Sequence, residues 1–155
     1  MTDQHKPMAA VAFSPSGMMR LIGYVGLVPF IGLGVMVLLG EGEFASRAAL
    51  AMVTYGAVIF SFIGGLHWGL VLLHSQGSVG RLSIIALGIG PSLLAWLAIL
   101  VSLKLALVLL VMGFAALLGL DFAAHRSGRV PSWFLSTRIV LTCVVIACLL
   151  VLFSL

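Results

Sequence analysis

Charge is what this sequence has least of: eight Lys and Arg and four Asp and Glu in 155 residues, or 8%, against about 25% in an ordinary soluble domain. So few charges cannot give a globule a polar skin, whereas a bilayer accepts apolar side chains on the outside as well. A water-soluble fold is excluded. A chain 63% hydrophobic is equally remote from disorder and from collagen. Cysteine is almost missing too. Cys143 and Cys148, five apart in one apolar run, project from different sides of a helix, which excludes a disulfide between them and argues against a metal site. A disulfide-rich secreted scaffold is excluded with them. Also lacking are a CxxCH haem attachment, a zinc-ligand cluster, a nucleotide loop, a nucleophile with its base, and the charges of a voltage sensor or ion filter.

What is present is apolar and comes in blocks. The residues 1–17, with Asp3, His5, Lys6, Pro7 and Pro15, read as a short cytoplasmic arm. Block 18–39 is longer than a signal-peptide core and lacks a clean cleavage site after it, so it is expected to remain as a span. Block 48–73 is a second. From 82 to 120 the only charge is Lys104, and one helix of that length would measure about 58 Å, nearly twice the hydrocarbon thickness. Two helices, 82–101 and 105–124, are therefore expected, with a turn at Ser102, Leu103 and Lys104. A polar break from His125 to Pro131 precedes a last block, 134–155. No block alternates apolar and polar residues as barrel strands do. The expected fold is an all-α integral membrane protein, a single bundle of five transmembrane helices.

The basic residues fix an orientation. With alternating loops, Lys6, Arg20, Arg81, Arg126, Arg129 and Arg138 share one side, against Arg47 and Lys104 on the other. The richer side is expected to be cytoplasmic, with the amino terminus on it and the carboxyl terminus in the periplasm. The net charge of +4 is thus a topology signal, and no nucleic-acid partner is expected. Tyr24 and Trp133 fall near the basic face and Trp96 near the other, as an interfacial belt would have it.

Chemistry concentrates in SFIGGLHWG, which carries Gly64, Gly65, His67, Trp68 and Gly69. An embedded titratable residue faces protein or water, so His67 is a functional candidate. Gly65 and Gly69, four apart, offer a surface on which another helix can approach closely, and in that packing reading His67 simply bonds a neighbouring carbonyl. Asp121 is the acid inside an apolar run, on His67's side of the midplane. It has two readings: a pair with His67, or a bland interfacial pair with Arg138 or Arg20. Pro29 and Pro91 sit mid-span, where each frees carbonyls a turn earlier, near Val25 and Leu87. Gly65-Leu66-His67-Trp68 also matches Gly119-Leu120-Asp121-Phe122 in type, a faint parallel repeat of spans one and two in three and four. Bis-His haem is disfavoured, because His74 lies on the same helix face as His67.

Four stretches, LIGYVGLVPFIGLG, YGAVIFSFIGGLHWGL, GPSLLAWLA and VPSWFLSTRIVLT, resemble the transmembrane-protein-69-like family, whose bacterial members are a domain of unknown function and whose animal relative is a mitochondrial membrane protein. The resemblance runs from Leu21 to near the end of the chain. It implies a small multi-span protein of a proteobacterial inner membrane, with no activity and no catalytic residue to transfer. The expectation is a non-enzymatic accessory, assembly or structural component with no cofactor or metal, in contact with lipids and with a membrane-protein partner or another copy of itself. The alternatives are a small transporter or proton-coupled carrier built on His67 and Asp121, and quinone or haem binding.

Overall fold

The computed structural model describes residues 15–74 and 86–154, and in them every regular element is a helix. The elements are α1 (Pro15–Val25), α2 (Val28–Leu39), α3 (Gly42–His74), α4 (Gly90–Leu100), α5 (Leu103–Arg126) and α6 (Ser132–Val151), followed by a 3₁₀ turn at Leu152–Ser154. Most of the expected arm, the polar loop after His74 and the start of the third block lie outside the described residues.

The first block is a broken helix. Pro29 sits in the first turn of α2, where a missing N–H costs nothing, and Gly26 and Leu27 form the turn before it. The carbonyl of Gly26 accepts a hydrogen bond from the Tyr55 hydroxyl of α3 at 3.0 Å, and the Phe30 and Tyr55 rings lie 5.0 Å apart. A neighbour's hydroxyl thus occupies a carbonyl the break exposes. The third block breaks in the same way: residues 86–88 are helical, Ile89 is a turn, and Pro91 lies in the first turn of α4.

The second block starts earlier than its hydropathy suggests. Gly42, at φ +56°, opens α3, and Glu43 pairs with Arg47 one turn on at 2.6 Å. The turn from α2 is tight because a Cβ at Gly40 would lie 2.5 Å from the Met36 carbonyl oxygen. Between α4 and α5 only Val101 and Ser102, both extended, intervene, so the expected turn is present and shorter. Four helical stretches, Ser16–Leu39, Gly42–Val71, Leu103–Arg126 and Ser132–Val151, are long and apolar enough to cross a membrane, while Gly90–Leu100 is a shorter apolar helix. Four candidate spans therefore stand where five were expected.

Phe30, Met52, Leu107, Leu110, Phe114 and Leu149 are fully buried, tying α2, α3, α5 and α6 into one core. Helix α3 runs parallel to α5. The Phe60 and Phe114 rings meet edge to face at 5.5 Å, and a Cβ at Gly113 would come within 2.7 Å of the Phe60 ring, so the small residue makes room for the large one. Meanwhile Ile22, Leu39, Phe62, Leu73 and Met112 are exposed. Apolar outside and charged inside is the arrangement lipid favours.

Candidate functional site

Three helices each deliver one ionisable side chain to a single buried point. His67 comes from α3, Asp121 from α5 and Arg138 from α6, with relative exposures of 5%, 0% and 6%. Arg138 Nε–H donates to Asp121 Oδ2 at 2.8 Å, while the other carboxylate oxygen, Oδ1, stands 3.0 Å from His67 Nε2. The sequence offered Asp121 either His67 or Arg138 as partner; the fold gives it both, one on each oxygen. The separation of His67 and Asp121 along the chain equals that of Phe60 and Phe114, so both pairs belong to one register of parallel helices. Equivalent positions of the faint repeat meet.

The ring of His67 is held from its own helix. Its Nδ1 lies 3.0 Å from the Ile63 carbonyl oxygen, and since a carbonyl only accepts, Nδ1 carries a hydrogen. Nε2 is close to Asp121 Oδ1 but off the line of a hydrogen bond. Both atoms stay without a hydrogen-bond partner, as do Arg138 Nη2 and, one turn further along α6, the buried Thr142 Oγ1. Among the described residues no three His, Cys, Asp or Glu side chains are grouped to hold a metal ion.

A cavity of about 70 Å³ adjoins the ring, lined by His67, Leu70, Leu87, Leu120, Ala124 and Arg129 among others. Leu87 is the residue one turn before Pro91. Arg129 is positioned by the end of α5, where Arg129 N–H bonds the Ala124 carbonyl and Gly128 N–H that of His125, both at 2.9 Å. This double closure needs a left-handed residue, which Gly128 supplies at φ +72°. A larger groove of about 490 Å³, lined by Arg47, Leu50, Thr54 and Val58 among others, is a shallow outer surface of α3 remote from the buried charges.

The remaining candidates are distributed around this point. Gly64 touches Pro91 so closely that an added Cβ would overlap the proline ring, whereas a Cβ at Gly65 or Gly69 meets none of the described residues. The close approach of helices within the chain therefore falls one residue before the expected pair. Trp68 packs along the backbone of Gly88, whose Cβ would lie 3.4 Å from the indole. Arg20, the other expected partner of Asp121, lies instead over the Trp133 ring at 5.7 Å. Thr142 was missed: a lone threonine in an apolar run gives no signal, and only its place one turn from Arg138 distinguishes it. Cys143 and Cys148 are free thiols.

A helical bundle that buries its ionised groups and exposes its leucines is a multi-pass membrane protein. Residues 15–154 match the family described as "Protein of unknown function (DUF3429)", and the chain belongs to it. It is 34% identical over 127 residues to Transmembrane protein 69 of Xenopus tropicalis, covering 81% of this chain and 49% of that one. With Transmembrane protein 69 of Mus musculus it is 32% identical over 129 residues, 79% of this chain and 50% of the relative. The chain thus spans about half the length of the curated relatives it matches. No solved structure matches it.

Proposed function

We propose that the protein is a five-span, non-enzymatic component of a bacterial inner membrane that works by packing against another membrane protein or a second copy of itself. The observation that supports this is on α3: Gly65 and Gly69 are four apart, and a Cβ at either meets none of the described residues. A helix fits such a surface closely, and lipid chains fill it less well. Five crossings are supported by direction. Parallel α3 and α5 call for a return between them, and α4 is the helix that fits it. Six basic residues against two favour a cytoplasmic amino terminus.

Replacing Gly65 and Gly69 together with Leu is expected to abolish the protein's assembly on a native gel of gently solubilised membranes, with the monomer still folded. An unchanged assembly would refute the packing reading. A second reading, a proton-coupled carrier, is favoured by the 3.0 Å approach of His67 to Asp121 beside a cavity. It requires that His67→Ala alter proteoliposome flux.

A further inference from the structure

We propose that His67, Asp121 and Arg138 form a site that binds one proton in exchange for one water molecule, connected to the basic end of the bundle by the cavity lined by His67 and Arg129. The inference rests on the buried cluster alone and holds whichever reading of the preceding paragraphs is correct.

The hydrogen count leads to it. Nδ1 of His67 is committed as a donor to Ile63. A neutral ring then presents a lone pair at Nε2, 3.0 Å from Asp121 Oδ1, which has only lone pairs while ionised. Two acceptors facing each other in a site without bulk water repel. Two remedies exist. A proton on Nε2 or Oδ1, with a small turn of the ring or carboxylate that brings the contact into line, makes an N–H···O or O–H···N bond. Alternatively the ring and the carboxylate draw apart by an ångström or two, on the order of one hydrogen-bond spacing, and a water entering between them gives one hydrogen to each, because water has two. The first state carries a net charge of +1 (imidazolium, carboxylate, guanidinium, or its tautomer) and the second carries none. Passing between them takes up one proton and releases one water, with no oxidant, reductant or other reactant.

The structure supplies what such an exchange needs. Four buried polar atoms without partners, His67 Nε2, Asp121 Oδ1, Arg138 Nη2 and Thr142 Oγ1, mark a cluster with spare hydrogen-bonding capacity, a common sign of water. The adjoining cavity, about 70 Å³, is roomy enough to admit water. Its lining runs from the buried ring to exposed Arg129. The charged groups facing His67 from the packed helices are Asp121 of α5 and Arg138 of α6, with Arg129 across the cavity. One carboxylate is thus flanked by a fixed cation on one oxygen and a titratable base on the other.

The test uses the full chain in lipid nanodiscs. With ¹⁵N-labelled histidine, the His67 Nε2 resonance is expected to move between protonated and unprotonated positions on a one-proton curve as pH is varied, while Nδ1 keeps its hydrogen throughout. In Asp121→Asn the amide can donate to Nε2 directly, so Nε2 is expected to stay unprotonated over the whole range. A wild-type ring fixed in one state, or a variant that titrates like wild type, would overturn the proposal. Should the variant fail to fold, infrared spectra of wild type carrying ¹³C-aspartate decide: a carboxylate band that shifts with the ring's midpoint supports the site, and one that stays still while the ring titrates refutes it.

Discussion

Arg138 and Asp121 are the residues on which the interior depends most. Two charges buried together cost little net free energy compared with an apolar pair of the same shape, but removing one of them strands the other. Arg138→Ala leaves Asp121 with His67 alone and is expected to cost about 3–5 kcal/mol, read as lost stability in a denaturant titration of the purified protein. Arg138→Met with Asp121→Leu removes both charges and is expected to cost clearly less than the sum of the single changes. A double variant as unstable as that sum would show that the two side chains act independently. Both members of this pair were visible in the sequence as charges in or beside apolar runs. That Asp121 serves two partners was not visible, because three helices converging on one carboxylate is a property of packing and not of spacing along the chain.

At the level of the elements, hydropathy located the spans and missed their ends for identifiable reasons. Glu43 and Arg47 look like a loop to any hydropathy window, yet four residues apart they pair on an exposed first turn, 78% accessible on each side, and α3 carries on through them. Pro29 and Pro91 were legible as interruptions, and each became the first turn of a new helix, since that is where proline fits an α-helix. Gly64 and Gly65 could not be told apart in a GG pair; the rotation of α3 decides which one meets Pro91. Gly64→Val is accordingly expected to force α3 from α4 and to lower stability by about 1–3 kcal/mol, whereas Gly65→Ala leaves the monomer unchanged within about 0.5 kcal/mol. Thermal unfolding of the two variants side by side checks the assignment. Equal effects would mean that α3 is turned differently about its axis.

For the whole molecule, the central fact is that the parallel pair α3 and α5 sits beside helices that must connect it. Arg20 near the start of the chain lies against Trp133 at the start of α6, so the first and last helices begin at the same end. That end also holds Arg126, Arg129 and Arg138, the terminus of α5 and the start of α6. Because α6 starts there and runs 20 residues, about 30 Å, it is long enough to reach the opposite end of the bundle. The proposed odd number of crossings accords with this, and it counts α4 as one of them, though α4 alone covers only about 16 Å. Reporter tags fused before Met1 and after Leu155 are expected to show opposite faces, the first active only in the cytoplasm and the second only outside it. Tags that report the same face would leave an even number of crossings, take α4 out of the membrane as a return helix, and place the basic residues on both sides instead of concentrating six of them on one.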